Sequence, residues 1–260
     1  MEIKFSKEGF LEELKINKEN IINSWGIETS DSSGFFSLNE KGCRQKIIEK
    51  KFQKTKNKIK GHIETKLPFS HWKIYVEEFQ KTKNKIIRKN KLVCLEDSEF
   101  SDFVSRFRFK KDFIKNVEIG NKKLTHKKSN IYYQHPVKKV VLNLKSGGRI
   151  QIELNNFKTI GELKPVLYAR DFKEEWIIHV RLFPVNPKIK QIRICRSWYN
   201  KAIPKKIAKP FLAILPLRKF LWYRGEKKGG FPLGAYGLVL GKKGEILNLE
   251  TEFTYFPLKN

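Results

Sequence analysis

The octapeptide FQKTKNKI occurs twice in this chain, at residues 52–59 and again at 79–86. On a helix, both copies place a stripe of similar residues at steps of i, i+4, i+7 and i+11. The stripe consists of Ile48, Phe52, Thr55 and Ile59 around the first copy and of Tyr75, Phe79, Thr82 and Ile86 around the second. The duplication therefore predicts two equivalent helices in an αα-hairpin, each with a narrow apolar stripe and a broad basic face.

A β-strand is the alternative for the repeat. The alternating lysines within 54–60 would then lie on one face of the strand, where like charges repel each other. The opposite face would offer little apolar surface to bury. The helix is therefore favoured over the strand.

The remaining pattern indicates an α+β protein with a helical basic N-terminal region and a β-rich C-terminal domain. A third amphipathic helix is expected from Asp97 or Ser98 to Val117, and the composition changes after Gly120. We place the two regions at residues 1–120 and 131–260. Within the second region the pattern predicts strands at 140–144, 149–154, 176–183 and 191–196, two short helices over 203–223, and further strands over 235–256 with a hairpin turn at 241–244.

The charge points to a polyanionic partner. The chain has 55 Lys and Arg against 27 Asp and Glu, a net charge of +28, and its 20 Phe show that this charge sits on a folded body. Lysines would neutralise nucleic-acid phosphates without reading bases, so we expect backbone binding, with RNA favoured over DNA. Other protein subunits are expected in a ribonucleoprotein, defence or mobile-element complex. The predicted nucleic-acid-binding residues are Lys54, Lys56, Lys58, Lys81, Lys83, Lys85, Arg88, Arg224, Lys227, Lys228, Gly229 and Gly230.

A glycine-rich segment near the C-terminus supplies the last five of those positions. Five glycines fall between 225 and 237 among cations, and exposed backbone N–H groups beside cations can hold phosphate. The run from Leu221 through Gly225-Glu-Lys to Leu233-Gly-Ala-Tyr-Gly-Leu-Val resembles the glycine-rich loop of RAMP-type CRISPR proteins, most closely the group that processes guide RNA. The resemblance implies a ferredoxin-like RNA-binding fold whose loop touches the RNA backbone.

Catalysis is the alternative to simple binding. His179 and Arg181 are two residues apart on an expected strand and so project to one face. Imidazole and guanidinium together can support metal-free RNA cleavage, which makes a nuclease the first alternative function. A metal-dependent nuclease is less favoured because the chain has only five dispersed Asp, and a ribosome-type structural protein is a further alternative. We predict no metal site and no cofactor.

Three cysteines without a CxxC pair argue against a disulfide framework or a zinc site and indicate a reducing compartment. The N-terminal residues lack the apolar core of a signal peptide, and no apolar run reaches the roughly 20 residues of a membrane span. The sequence therefore predicts a cytoplasmic protein without a membrane partner.

Overall fold

The computed structural model shows a β-protein built on two large antiparallel sheets. It describes residues 1–31, 35–38, 46–100, 102–127, 132–135, 137–161, 163–184 and 239–258, together with 192–194, 202–204, 210, 214 and 230–232. A nine-stranded sheet has the order β13-β12-β15-β16-β23-β9-β8-β7-β6, and a seven-stranded sheet has the order β19-β14-β17-β18-β11-β4-β5. Three small sheets, β1-β2-β3, β10-β22 and β20-β21, complete the described strands.

The strands have the following bounds in chain order. They are β1 Glu2–Phe5, β2 Leu11–Ile16, β3 Glu19–Asn20, β4 Gly26–Ser30, β5 Phe35–Ser37, β6 Lys46–Lys54, β7 Lys58–Leu67, β8 Ser70–Thr82, β9 Lys85–Cys94, β10 Ser98–Phe100, β11 Asp102–Lys110, β12 Ile114–Ile119, β13 Lys122–Leu124, β14 Tyr132–His135, β15 Lys139–Leu144, β16 Arg149–Lys158, β17 Leu163–Phe172, β18 Glu175–Pro184, β19 Ile192–Ile194, β20 Ala202–Pro204, β21 Gly230–Pro232, β22 Val239–Gly241 and β23 Ile246–Phe256. A single 3-10 turn, Lys111–Phe113, separates β11 from β12.

The two large sheets pack face to face, because alternate residues of their strands are apolar. In β8 the alternate side chains of Trp72, Ile74 and Val76 are buried, while Tyr75 between them is exposed. The seven-stranded sheet contributes Phe107 and Trp25, whose rings meet edge to face at 4.7 Å. The ring of Phe253, in the nine-stranded sheet, packs against Trp25 with 5.3 Å between the ring centroids. Aromatic packing therefore joins the sheets at the centre of the core.

The α+β fold class with a helical N-terminal region is wrong. Within residues 1–31, 35–38, 46–100 and 102–120 the structure has strands where helices were expected, and the repeat forms the tips of the β6–β7 and β8–β9 hairpins. The lysine argument failed for two reasons. A turn separates Lys54 from Lys58, so the lysines do not share one strand, and Glu77 of β8 pairs with Lys58 at 2.7 Å.

The two identical octapeptides do not fold identically. Gln80 N donates to Asn57 O at 2.9 Å, which fastens the second hairpin to the turn of the first. In the first copy, the pair Lys54–Ile59 closes the hairpin turn. In the second copy, the turn is closed by the pair Thr82–Lys85, which follows a β-bulge. Because a bulge shifts the alternation by one residue, Phe52 and Phe79 end on opposite faces of the sheet.

The expected third helix is also wrong, since its residues form β10, β11 and β12.

The predicted hairpin around 145–148 is confirmed by the pairing of β15 with β16, and the strand over 176–183 is confirmed as β18. The predicted hairpin turn at 241–244 is wrong, because β22 pairs with β10 while β23 pairs with β9 and β16. The helices expected over 203–223 lie mostly outside the described residues.

Both large sheets draw strands from either side of residue 120. In the part of the chain that the structure describes, no helix has the length and apolar character that crossing a membrane would need.

Candidate functional site

A polar cluster lies on the face of the seven-stranded sheet that points away from the other sheet. Alternation dictates its membership: the inward residues of β11 and β18 are apolar core, so the residues between them face outward. Arg106 of β11 lies opposite His179 of β18, and His179 lies opposite Tyr168 of β17. On the other side of β11, Glu28 of β4 lies opposite Val104, which is the outward-facing residue of β11 next to Arg106. Four neighbouring strands thus bring a carboxylate, a guanidinium, an imidazole and a phenol together.

The centre of the cluster is the carboxylate of Glu28. Arg106 Nη1 donates to Glu28 Oε1 in a short charge-assisted hydrogen bond. The other oxygen, Glu28 Oε2, lies 4.0 Å from His179 Nε2. That separation is too long for a direct hydrogen bond, yet a ligand oxygen to one side of the line that joins the two atoms can lie within hydrogen-bond distance of both.

A second acidic–basic pair borders this centre. Arg181 Nη1 lies 3.7 Å from Asp102 Oδ2, and Ser30 Oγ donates to Asp102 Oδ1 at 2.5 Å. The Arg181 guanidinium carbon is 4.0 Å from the Phe183 ring centroid and 5.1 Å from that of Tyr168. Tyr168 also stacks on His179 at 4.5 Å, so it connects the two parts of the cluster.

The cluster is buried, which determines its electrostatics. Glu28 is 3% exposed, Arg106 1% and His179 2%. Charges in such surroundings interact far more strongly than at a surface, and each buried charge must be compensated. The cluster holds the carboxylates of Glu28 and Asp102 and the guanidiniums of Arg106 and Arg181 beside the His179 imidazole.

The sequence located part of this cluster. The prediction that His179 and Arg181 project to one face is confirmed by their register in β18. Sequence reasoning missed Glu28, Asp102 and Arg106, because residues 1–120 were expected to form a helical region. The alternation of Phe103, Phe107 and Phe109 with polar residues was the signal that could have revealed them.

Among the predicted nucleic-acid-binding residues that the structure describes, Arg88 lies apart from the lysines of the hairpin tips. Arg88 is 2% exposed and lies between the sheets. Lys58 and Lys85 are paired with Glu77 at 2.7 Å and Glu252 at 2.6 Å, and Lys54 donates to the backbone oxygen of Phe5 at 3.0 Å. Lys56, Lys81 and Lys83 are also exposed at the hairpin tips. Arg224, Lys227, Lys228 and Gly229 lie outside the described residues, with most of the glycine-rich loop, and Gly230 begins β21.

Among the described residues, no group of three or more His, Cys, Asp and Glu side chains could hold a metal ion.

Comparison with known proteins gives only distant structural likenesses. The sequence matches no protein-family model and no curated protein. A solved structure of a candidate aldose 1-epimerase from Escherichia coli K12 is 8% identical with a TM-score of 0.47, over 81% of this chain and 69% of that one. A galactose mutarotase-like protein from Lactobacillus casei ATCC 334 is also 8% identical, with a TM-score of 0.48, over 98% and 97% of the two chains.

The prediction of a nucleic-acid-binding protein is wrong, and with it the expected RNA or DNA partner, the nuclease and the ribonucleoprotein, defence or mobile-element complex. The paired basic helices that would have carried the phosphates do not exist, and Arg88 is enclosed in the core.

Proposed function

We propose that the polar cluster on the seven-stranded sheet is an acid–base site that interconverts the anomers of a sugar. The observation that carries the proposal is the position of Glu28 Oε2, 4.0 Å from His179 Nε2 with Arg106 donating to the other carboxylate oxygen. The roles follow from this arrangement. Glu28, held as a carboxylate by Arg106, accepts a proton, and His179 donates one.

The spacing of the two groups suits this reaction. In a cyclic sugar the anomeric hydroxyl and the ring oxygen are bonded to the same carbon, so the base and the acid must lie side by side. Ring opening removes the proton from the anomeric hydroxyl and delivers a proton to the ring oxygen, and closure on the other face of the carbonyl reverses both transfers. General acid–base catalysis of this type needs no cofactor and typically accelerates a step by about 10²–10⁴-fold.

The surroundings suit a polyhydroxylated substrate. Hydroxyl groups both donate and accept hydrogen bonds, and the cluster offers carboxylate acceptors beside guanidinium donors. Asp102 and Arg181 extend these partners to one side of the Glu28–His179 pair. Tyr168 stacks on His179 and Phe183 packs under the Arg181 guanidinium, so the two rings hold the imidazole and the guanidinium in place.

The proposal is tested by following the anomerisation of freshly dissolved α-D-glucose and α-D-galactose by polarimetry, with and without the protein. We expect the wild-type protein to accelerate the change over the buffer rate. Glu28→Gln and His179→Gln should each lose about 10²-fold or more of that acceleration. His71→Gln is the matched control, since His71 contacts Glu64 and Glu96 on the other sheet.

Two results would overturn the proposal. The first is a folded wild-type protein that leaves both sugars at the buffer rate. The second is an acceleration that survives both substitutions. Thermal unfolding of each variant separates a lost proton transfer from a lost fold. The cytoplasmic location inferred from the sequence stays a prediction.

A further inference from the structure

A groove of about 340 Å³ crosses the outer face of the nine-stranded sheet, on the side of the molecule opposite the polar cluster. It runs over five adjacent strands, from β7 through β8, β9 and β23 to β16. Neighbouring strands lie about 4.8 Å apart, so the groove spans about 19 Å. That length fits several linked sugar rings better than a single small molecule.

Two ladders of outward side chains form the floor of the groove. The first ladder alternates in charge, because cross-strand register places Lys60, Glu77, Lys89 and Glu250 side by side, with Asn156 at its end. The second ladder joins His62, Tyr75, Lys91 and Asn248 in the same way. The floor therefore presents cations, carboxylates and amides in a regular array around one aromatic ring.

The acidic side chains of the groove are already neutralised. Lys58 Nζ lies 2.7 Å from Glu77 Oε1, and Lys89 Nζ lies 3.5 Å from Glu250 Oε2. The hydrogen bond from Lys58 holds the pKa of Glu77 below its ordinary value, so this carboxylate is ionised and remains paired. Among the described residues, by contrast, neither Lys60 nor Lys91 forms an ion pair. These two ammonium groups give the groove a positive surplus.

Tyr75 supplies an apolar face beside that surplus charge. Its side chain is 39% exposed, although its neighbours Ile74 and Val76 are fully buried in the core. Lys91 Nζ lies 5.6 Å from the centre of the Tyr75 ring, and the His62 ring lies 5.8 Å away on the adjacent strand. An exposed ring bordered by an ammonium and by amides matches a sugar unit that has an apolar C–H face and a carboxylate at its edge.

A β-bulge shapes the far end of the groove. The register of β16 against β23 shifts between Leu154 and Asn156, which turns Asn156 into the groove opposite Glu250. Bulges of this kind re-aim side chains and are frequent beside binding sites. Asn156 and Asn248 then offer amide groups, which can both donate to and accept from ring hydroxyls.

We propose that this groove binds an acidic oligosaccharide, with Tyr75 packing on a pyranose ring and Lys91 and Lys60 pairing with its carboxylates. The groove is separate from the Glu28–His179 site and goes beyond the proposed anomerase activity. A chain that bound polyanions by net charge alone would not need the tyrosine. The carboxylate-bearing pyranose is therefore the ligand that uses all three side chains.

The experiment is titration calorimetry with trigalacturonate, with neutral maltotriose as the size-matched probe and hexametaphosphate as a polyanion without sugar rings. We expect trigalacturonate to bind at least tenfold more tightly than maltotriose. Tyr75→Ala and Lys91→Met should each weaken trigalacturonate binding about tenfold. Lys122→Met on β13 of the same sheet removes the same charge far from the groove and should leave binding unchanged.

The outcomes separate the alternatives. Equal binding of maltotriose would overturn the acidic specificity. Hexametaphosphate binding as tightly as trigalacturonate, with no effect of Tyr75→Ala, would show a generic cationic surface. The Glu28→Gln variant should bind trigalacturonate as the wild type does, so a failure of the proposed anomerase activity does not affect this result.

Discussion

Arg88 Nη1 donates to the backbone carbonyl oxygen of Arg106, 3.1 Å away, and so ties the nine-stranded sheet to the strand that carries the polar cluster. The same nitrogen donates to the backbone oxygen of Gly26 at 3.0 Å, two residues before Glu28. On its other side the guanidinium is paired with Glu78 at 3.2 Å. One buried side chain thus fixes β4 against β11 directly behind the Glu28–Arg106 contact.

Arg88→Met should destabilise the protein by about 3–5 kcal/mol, because it leaves the Glu78 carboxylate buried without its cation. The additional substitution Glu78→Gln should recover part of this loss, since it removes the uncompensated charge. Urea unfolding of the single and double variants measures both effects. Lys89→Met is the matched control, because the neighbouring lysine points outward and is exposed. A loss for Arg88→Met no larger than for Lys89→Met would contradict the role of the buried pair.

The sequence could have shown more of the fold than it did. In 70–78 the apolar side chains of Trp72, Ile74 and Val76 alternate with polar or exposed ones, which is a strand pattern. The octapeptide suggested helices because its apolar residues also fit a period near 3.6. What no local pattern could supply is the partner strand, whose Glu77 pairs with Lys58 of β7.

The candidate site, too, was predictable from local sequence only in part. The spacing of two residues between His179 and Arg181 was enough to place them on one face of a strand. Their partner Glu28 lies in the first strand of the same sheet along the chain, and only the register of β4 and β11 brings it close. Long-range register is set by the packing of whole sheets, which a local pattern does not encode.

A second prediction concerns acid stability at the β6–β7 hairpin. Hydrogen bonds from Lys51 and then from His62 lower the pKa of Glu49 from 4.5 to about 2. A carboxylate with a lowered folded-state pKa contributes stability that is present above pH 4.5 and is lost as the pH falls through 2. The melting temperature of the wild type should therefore exceed that of Glu49→Gln above pH 5, and the two should converge towards pH 2. A constant difference across this range would exclude the linkage.

The thiol of Cys94 should be inert in the native protein. Its side chain is buried, and burial, with the nearby Glu245 carboxylate, raises its pKa to about 12. Because the thiolate is the reactive form, a disulfide exchange reagent at pH 8 should not label it. The measurement uses the C43S/C195S variant, so that Cys94 alone is read out, and addition of urea should release the full signal. Rapid stoichiometric labelling of the folded variant would contradict this prediction.

The last prediction tests how closely β6 and β7 approach each other at the edge of the groove. A Cβ atom at Gly61 would lie 2.1 Å from the backbone oxygen of Lys51 and 2.5 Å from the Phe52 ring. The backbone oxygen cannot move aside as a flexible side chain could, so Gly61→Ala should cost about 2–3 kcal/mol of unfolding free energy.

Gly244→Ala provides the comparison for Gly61→Ala. No atom lies within 4 Å of a Cβ placed at Gly244, but its φ of +86° disfavours alanine, at a cost of about 1 kcal/mol. Gly61→Ala should therefore be the more destabilising of the two in urea unfolding. Phe52→Leu should not rescue it, because the clash with the Lys51 oxygen remains. If both glycine variants unfold at the same urea concentration, the close approach of the two strands is refuted, since only Gly61 meets backbone atoms.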